Sequence, residues 1–254
     1  MIYNPFFEHR GIDAVVMPMG VTADAYAVVL KALFRITNIA GAVVTMPHKI
    51  TTVALLDHHT DAVRIAGSCN AVVRGSDGAL RGDMFDGEGF VRGLKRRGFE
   101  CKGASCLVVG AGGVGSAIAA ALAAAGVASI SLHDLNPAAS AGLRERLGKH
   151  FPGVEVRFAP PRAAGFALAV NATPLGMKLT DPLPMDLTGA GPSTFVGEVV
   201  MKQEVTPLLR AARELGCPTQ LGTDMLFEQI PLYLEFFGLG RATPEELRAV
   251  AQLG

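Results

Sequence analysis

The stretch VVGAGGVGSAIAAALAAAG, which begins at Val108, constrains the fold of this chain more than any other. Its glycines Gly110, Gly112 and Gly115 have the GxGxxG spacing and lie between a β-type apolar run and an alanine-rich helical segment. In such a turn the first glycine permits the bend, the second lets the backbone approach a pyrophosphate, and the third allows close helix packing. The turn therefore predicts a dinucleotide site, with Gly113 also among the cofactor-binding residues. The alternative is a glycine-rich turn that binds nothing.

Strands and helix-length segments alternate beyond this turn. The pattern predicts a strand at 105–110, a helix at 113–125, a strand at 129–134, a helix at 137–148, strands within 154–158, 166–173 and 194–200, and a helix at 204–215. Strands separated by helices favour right-handed βαβ units and a parallel sheet. This half of the chain is therefore predicted to be a Rossmann-type domain.

The earlier part of the chain has a different pattern. DAVVMPM at 13–19 predicts a short buried strand, and the segment at 22–36 predicts a helix with Thr22 as its N-cap. GAVVT predicts a second strand, and the segment from 70 to 83 predicts a hairpin that turns at Asp77-Gly78.

The tail after residue 222 is helical, with a helix start at Thr243 and Pro244. The pattern changes near residues 87 and 221. We therefore predict an α/β protein of two α/β domains, one of 1–86 with 222–254 and one of 87–221, in which the C-terminal helices return to the first domain.

Composition limits the classes of partner. Lys plus Arg and Asp plus Glu are equal at 23 each, which argues against a nucleic-acid or anionic membrane surface and favours a small molecule. The chain has no apolar run long enough to span a membrane and no signal-peptide pattern, so a cytoplasmic location is expected. Four cysteines without a CxxC pair support neither a zinc site nor a disulfide framework, and no metal is predicted. A homodimer is left open.

Asp134 bears on the choice of cofactor. It ends the strand after the glycine-rich turn, 19 residues past Gly115, where a carboxylate can accept both ribose hydroxyls of NAD. A carboxylate there repels a 2′-phosphate, and no arginine follows it, so NAD is favoured over NADP. The alternative is that Asp134 caps the helix after Pro137, a task that Asn136 could also perform.

Several separated segments resemble those of the shikimate/quinate dehydrogenase family, in the same order from about residue 13 to 232. They are GAVVTMPHK, AGSCNAVV, GDMFDGEGF, VNATPLGM and TPLLRAARELGCPTQLGTDMLFEQ. Taken by itself, Lys49 in the first of them is either a solvated charge at a helix start or a placed acid/base group. The resemblance favours the second interpretation.

The resemblance implies a role for each matching residue. It makes Lys49 and Asp86 the catalytic acid/base pair of an NAD(P)-dependent alcohol dehydrogenase that acts on a ring hydroxyl of a cyclic polyol carboxylate. The remaining implied site residues bind the substrate, namely Thr45, Asn70 and Gln229, or the cofactor, namely Asn171, Thr173 and Met177. It also makes 1–86 with 222–254 the substrate-binding domain and 87–221 the NAD(P)-binding domain.

The chain departs from the family pattern at several positions. The family's Ser-x-Ser-Pro turn, which binds the substrate carboxylate, is absent, so either the start has been set too late or the carboxylate is bound differently. Val43, Met84, Phe85 and Met201 replace polar residues of the family, which should add apolar surface around the pocket and alter or relax specificity.

Two other functions are alternatives, and the departures support the second of them. One is a folate-linked methylene dehydrogenase, which shares the two-domain plan. The other is a non-catalytic NAD-binding sensor or paralogue with altered substrate.

Overall fold

The computed structural model describes residues 2–252. Four short strands, all within residues 42–83, form the first of its two sheets: β1 (Ala42–Val43), β2 (His58–His59), β3 (Ala71–Arg74) and β4 (Leu80–Asp83). They lie in the order β1-β3-β4-β2. β3 and β4 form an antiparallel hairpin, and Gly78 in its turn has a φ of 84°. Because a positive φ is easily adopted only by glycine, the predicted turn at Asp77-Gly78 is confirmed.

The second sheet has six strands. They are β5 (Ser105–Val109), β6 (Ser129–His133), β7 (Glu155–Phe158), β8 (Leu168–Asn171), β9 (Phe195–Glu198) and β10 (Thr219–Gln220). Every neighbouring pair is parallel, and the order is β10-β9-β8-β5-β6-β7. The chain builds outward from β5 on one side and then crosses to β8 on the other. This is the strand order of a dinucleotide-binding sheet, which confirms the predicted Rossmann-type architecture.

Ten helices surround the two sheets in the described part of the chain. They are α1 (Tyr3–Arg10), α2 (Tyr26–Leu33), α3 (Lys49–Val53), α4 (Asp61–Ala66), α5 (Asp86–Arg96), α6 (Gly113–Ala124), α7 (Pro137–His150), α8 (Pro207–Glu214), α9 (Gly222–Phe236) and α10 (Pro244–Val250). Pro207 and Pro244 each follow a threonine whose side chain caps the helix. Because proline lacks an N–H that the first helical turn would leave unbonded, it fits this position.

Helix α5 connects the two halves of the molecule. It follows β4 of the first sheet directly and packs against both α6 and α9. A Cβ atom at Gly87 would lie 2.1 Å from the carbonyl oxygen of Ala117 in α6, and one at Gly89 would lie 2.7 Å from Cβ of Gln229 in α9. The two glycines therefore let three helices approach more closely than any side chain would allow.

The C-terminal helices return to the beginning of the chain. Phe227 and Ile230 of α9 and Leu247 of α10 form one buried cluster with Phe6 and Phe7 of α1. The predicted helical return to the first domain is confirmed. The exact domain limits stay a prediction, because α5 packs against helices of both parts.

The buried strand predicted at 13–19 is wrong. Residues 12–20 form neither helix nor strand, and several of the apolar side chains are exposed, namely Val15, Met17 and Met19. A strand needs a neighbour to bond its backbone, and within residues 2–252 no strand pairs with this segment. The side chain of Asn4 bonds the backbone of Val16 where a neighbouring strand would otherwise do so. It accepts a hydrogen bond from the N–H of Val16 at 2.8 Å and donates one to the carbonyl oxygen of Val16 at 3.2 Å.

The helix predicted at 22–36 is shorter than expected. α2 begins at Tyr26, residues 23–25 form a turn, and Ala25 occupies the N-cap position. Thr22 does not cap the helix, because its side chain bonds Asp24 and lowers the pKa of that carboxyl. Short polar side chains that bond locally favour turns over helix starts, which the apolar periodicity alone does not show.

Three further properties hold for the described residues. No helix among them is both long and apolar enough to cross a lipid bilayer. All four cysteines are buried and free. No three side chains of His, Cys, Asp or Glu come together in a way that could hold a metal ion.

We expect Gly87→Ala to lower the free energy of unfolding by about 2 kcal/mol or more, because overpacking of this size usually costs 1–3 kcal/mol and the obstacle here is backbone. Gly148→Ala is the matched control, since this glycine lies in α7 with nothing within 4 Å of the added methyl group. The control substitution should raise the free energy of unfolding by about 0.5–1 kcal/mol, because alanine favours the helix more than glycine does. Thermal unfolding followed by circular dichroism measures both, and equal melting temperatures for the two variants would contradict this packing.

Candidate active site

Lys49 and Asp86 form an ion pair at the junction of the two halves. Lys49 is the first residue of α3 and Asp86 the first residue of α5. The Lys49 ammonium donates to Oδ2 of Asp86, and the side chains are only 12% and 3% exposed. Asp86 also gains from its position in the first turn of α5, where the helix dipole favours negative charge. The pair predicted from sequence is thus in direct contact.

Asn70 holds the other side of this carboxylate. Its Nδ2 donates to Oδ1 of Asp86 at 2.8 Å, and its Oδ1 accepts the backbone N–H of Phe85 at 3.0 Å. Asn70 is fully buried, and its own backbone bonds Val44 and Asp83. Both carboxylate oxygens of Asp86 are therefore occupied, and the ammonium of Lys49 keeps two further N–H donors for other partners.

A cavity of about 620 Å³ opens from Lys49 across the glycine-rich turn. The other lining residues lie at the ends of β5 and β6, in the loops that follow β1, β5, β6, β7 and β8, and at the starts of α3 and α6. They are Met46, Pro47, Ile50, Val109, Gly110, Gly112, Gly113, Val114, His133, Asp134, Leu135, Pro161, Ala172, Thr173, Pro174, Leu175 and Pro184. The carboxyl ends of parallel strands at a point where strand order reverses are the usual ligand site of such a sheet. A second depression of about 550 Å³ begins at the same His133 and Asp134.

The glycine-rich turn has the geometry that a pyrophosphate needs. Gly110 has a φ of 103°, and a Cβ on Gly115 would lie 1.9 Å from the carbonyl oxygen of Gly110. Gly112 is the N-cap of α6 without a side-chain cap, and a Cβ there would meet nothing within 4 Å. The N-terminal N–H groups of α6 therefore border the cavity unobstructed, which suits a bound phosphate.

Ser68 ties this turn to the lysine side of the cavity. Its hydroxyl donates to the carbonyl oxygen of Gly113 at 2.9 Å. A Cβ atom on Gly113 would lie 3.3 Å from Cβ of Ser68 and 3.4 Å from Cβ of Lys49. The start of α6 and the start of α3 are thus in contact, and the sequence contained no signal for this hydrogen bond.

Asp134 lies at the other end of the cavity. One of its carboxylate oxygens accepts the N–H of Ala111 at 2.6 Å, and the other accepts the N–H of Asn136 at 2.7 Å. The side chain of Asn136 caps α7 by accepting from Ala138 at 3.1 Å. The capping task therefore falls to Asn136, and the Asp134 carboxylate supports the glycine-rich turn while it lines both depressions.

The buried carboxylate of Glu198 supports the loop after β8 through Asn171. Asn171 is fully buried: its Nδ2 donates to Leu175 and to Glu198, both at 2.9 Å, and its Oδ1 accepts from Thr173. Thr173 lines the cavity, whereas Met177 is partly buried and is not among the lining residues. Asn171 therefore fixes the shape of the loop that presents Thr173 to the cavity.

The remaining predicted residues surround the ion pair less directly. Thr45 is exposed just before the cavity wall, and Gln229 is buried in α9 with its Oε1 lacking a partner. Of the four apolar replacements, Val43 and Met201 are exposed, but Met84 and Phe85 are buried. The expectation of added apolar surface is wrong for those two, because the chain turns into the core between β4 and α5.

Comparisons with known proteins agree with this geometry. The family model described as shikimate dehydrogenase substrate binding domain matches residues 1–72, and a model of the ThiF family matches 100–137. A shikimate dehydrogenase (NADP(+)) of Rhodospirillum rubrum is 36% identical over 256 residues, which cover 98% of this chain and 90% of that protein. The chain belongs to the shikimate dehydrogenase family.

Solved structures of similar fold extend this finding to the whole chain. Shikimate 5-dehydrogenase of Listeria monocytogenes, in complex with shikimate and NAD, has a TM-score of 0.88 at 26% identity and covers 98% of this chain and 90% of that one. A ligand-free 5-ketofructose reductase of a Gluconobacter strain has a TM-score of 0.84 at 25% identity, with 97% and 90% covered. As a member of the shikimate dehydrogenase family, the chain is an oxidoreductase that binds a nicotinamide dinucleotide.

Glu198 is one site residue of this family member that the sequence analysis missed. A glutamate within the apolar strand FVGEVV was the available signal. It is fully buried at the end of β9, and burial raises its pKa to about 6, although hydrogen bonds from the backbone, Asn171 and Thr206 partly oppose the shift. Its protonation state bears on the loop that carries Thr173.

This carboxyl should make stability depend on pH. Between about pH 4.5 and 6 the folded chain keeps a proton that the unfolded chain has lost, so stability falls as the pH rises through this range. Replacing Glu198 by Gln should remove this loss. The free energy of unfolding of the variant, relative to that of wild type, should increase by about 2 kcal/mol across this range. Melting temperatures of both proteins, measured at each pH, follow this difference.

Glu214→Gln, at an exposed glutamate at the end of α8, is the matched control and should differ from wild type by the same amount at every pH. A Glu198→Gln difference that is equally flat between pH 4.5 and 7 would show that Glu198 does not hold this proton.

Proposed function

We propose that the chain oxidises, reversibly, a ring hydroxyl of a cyclic polyol carboxylate such as shikimate or quinate, with NAD as hydride acceptor. The observation that carries this proposal is the buried Lys49–Asp86 pair, which opens into the cavity bordered by the glycine-rich turn. A non-catalytic sensor would have no need of a lysine and a carboxylate held in contact at this position. The intact pair therefore favours an enzyme.

Lys49 moves the proton in this proposal. When the alcohol is oxidised, the neutral amine of Lys49 takes the hydroxyl proton as the C–H hydride leaves, and in the reverse direction its ammonium returns the proton to the carbonyl oxygen. Asp86 fixes the position of Nζ and balances the positive charge. When bound, the nicotinamide ring supplies the hydride acceptor or donor.

Substrate and cofactor would occupy opposite sides of Lys49. Residues 1–86 and 222–254 would form the substrate domain, with Thr45, Asn70 and Gln229 facing the polyol, and 87–221 would form the cofactor domain. The start of α6 fits a pyrophosphate, and Asp134 lies where ribose hydroxyls can donate to it. The loop from Asn171 through Thr173 to Met177 would lie near the nicotinamide.

The lining of the cavity supports NAD over NADP. Asp134 brings a negative charge to the ribose end, and the next residue, Leu135, is 94% exposed and offers no hydrogen bond. Among the residues that line either depression, Lys49 is the only lysine or arginine, and it is paired with Asp86. A 2′-phosphate would meet the repulsion of Asp134. The Rhodospirillum rubrum relative is named for NADP, whereas the Listeria monocytogenes structure holds NAD.

The similar structures also set the range of substrates to test. One of them holds shikimate, and another is a reductase of 5-ketofructose, an uncharged sugar ketone. The exposed Val43 and Met201 differ from the polar residues that the family pattern has at these positions. Activity should therefore be assayed with shikimate, quinate and 5-ketofructose, each with both dinucleotides.

Lys49→Met should lower kcat by about a hundredfold to ten-thousandfold, the usual contribution of a general acid or base, and should leave the dissociation constant of NADH within about twofold. NADH formation measures kcat, and NADH fluorescence measures binding. Lys149→Met, on the exposed side of the last turn of α7, is the matched control and should keep full activity.

Lys49→Arg keeps the charge beside Asp86 but exchanges protons poorly, so it should be about as inactive as Lys49→Met. If both variants kept more than a tenth of the wild-type kcat, Lys49 would not be the group that transfers the proton.

We expect kcat/KM with NAD to exceed that with NADP by at least about tenfold in the wild type, because a carboxylate repels the 2′-phosphate. Leu135→Arg should narrow this ratio about tenfold, since a guanidinium forms strong hydrogen bonds with phosphate. Leu215→Arg, an exposed position at the end of α8, should leave the ratio unchanged. Rates with NADP that equal those with NAD in the wild type would contradict the assigned role of Asp134.

A further inference from the structure

One face of α9 covers the site of the ion pair. Gln229 and Tyr233 are four residues apart in this helix, so their side chains lie on the same face. The ring of Tyr233 packs edge-on against Phe85, the residue before Asp86, with 5.3 Å between ring centroids. Tyr233 and Phe236, whose ring centroid lies 5.5 Å from that of Phe85, are thus aromatic residues through which α9 meets the start of α5.

Tyr3 of α1 joins the same cluster. It packs with Phe85 and Tyr233, and the negative charge of Asp86 acts on both phenols. Burial, together with this charge, raises the pKa of Tyr3 and of Tyr233 above the usual value for tyrosine. Both hydroxyls thus keep their protons at neutral pH and are available as hydrogen-bond donors.

The polar atoms of this face lack partners. Within residues 2–252 neither the Tyr3 nor the Tyr233 hydroxyl has a hydrogen-bond partner, and Oε1 of Gln229 is buried without one. The third tyrosine of the chain, Tyr26, bonds Thr52 at 2.7 Å. Buried polar groups are nearly always bonded, and a buried one without a partner costs free energy. Oε1 of Gln229 is such a group, and the two phenols of this cluster have unused hydrogen-bonding capacity, so a ligand can complete all three.

We propose that Tyr233 and Tyr3, together with Gln229, form a subsite that binds an uncharged hydroxyl group of the substrate ring. Oε1 of Gln229 accepts a hydrogen bond from that hydroxyl, and the phenols donate hydrogen bonds to the hydroxyl oxygen. None of the three side chains is charged, and the ammonium of Lys49 is already paired with Asp86. A carboxylate would lie beside Asp86 without a free cation, so a neutral hydroxyl fits the subsite better. This inference rests on the proposed polyol dehydrogenase activity.

Tyr233→Phe in the full chain tests the subsite, because it keeps the ring against Phe85 and removes only the hydroxyl. KM for the polyol should rise roughly three- to tenfold, the effect of one uncharged hydrogen bond, while kcat and the dissociation constant of NADH change less than about twofold. The melting temperature without ligand should stay level, because the hydroxyl that is removed makes no hydrogen bond within residues 2–252. Tyr3→Phe should change KM in the same direction.

Tyr26→Phe is the matched control. It also loses one buried hydroxyl, but that hydroxyl bonds Thr52. Its melting temperature should fall while KM stays at the wild-type value. A merely structural role of Tyr233 would give this same result, so the two variants separate substrate binding from folding.

The outcomes distinguish this inference from the proposed function. Wild-type turnover of shikimate or quinate together with an unchanged KM in both Tyr233→Phe and Tyr3→Phe overturns the subsite and leaves the function standing. If the wild type turns over neither acid, the subsite is tested by ligand binding instead. The measurement is the rise in melting temperature of the wild type on addition of shikimate, quinate or a neutral cyclitol. A rise that is smaller in Tyr233→Phe but not in Tyr26→Phe supports the subsite, and no rise in the wild type overturns it.

Discussion

The carboxylate of Asp86 is the charge on which the site depends. A buried carboxylate is costly unless every oxygen is bonded, and here Asn70 bonds one oxygen and Lys49 the other. Asn70 in turn fixes the backbone of Phe85, which directs the chain from β4 into α5. The same contacts therefore place the acid/base pair and start the helix that joins the two halves of the molecule.

Close helix packing makes this arrangement rigid. Gly87 and Gly89 bring α5 against α6 and α9, and α6 begins at the glycine-rich turn while α9 carries Gln229 and Tyr233. The Lys49–Asp86 pair, the glycine-rich turn and the helix of Gln229 and Tyr233 are thus all positioned by one helix. The Ser68 hydroxyl adds a direct bond between the two walls of the cavity. In the proposed function, a cleft defined in this way holds Lys49 between substrate and cofactor.

Electrostatics divides the cleft into two ends with different preferences. At one end Asp134 is supported by backbone N–H groups and has no arginine or lysine beside it in the cavity lining, which agrees with the proposed preference for an unphosphorylated ribose. At the other end the charges of Lys49 and Asp86 balance, and within residues 2–252 Oε1 of Gln229 and the phenols of Tyr3 and Tyr233 have no hydrogen-bond partner. Neutral hydroxyls suit this second end, which agrees with the proposed recognition of a polyol ring through hydrogen bonds.

Sequence and tertiary structure contributed different parts of this description. Local patterns with a single physical solution were decisive by themselves: the GxGxxG turn, the alternation of strands and helices that follows it, and the Asp77-Gly78 hairpin. The matched segments also identified Lys49 and Asp86, which are 37 residues apart and in contact. The segment 13–19 was mispredicted because strand formation depends on a pairing neighbour, and apolar alternation does not supply one. Only the tertiary structure showed that Asn70 holds Asp86, that Glu198 supports the loop of Thr173, and that Tyr3 joins Tyr233. These contacts join residues distant in the chain, and their geometry is set by how helices and sheets pack rather than by any local spacing.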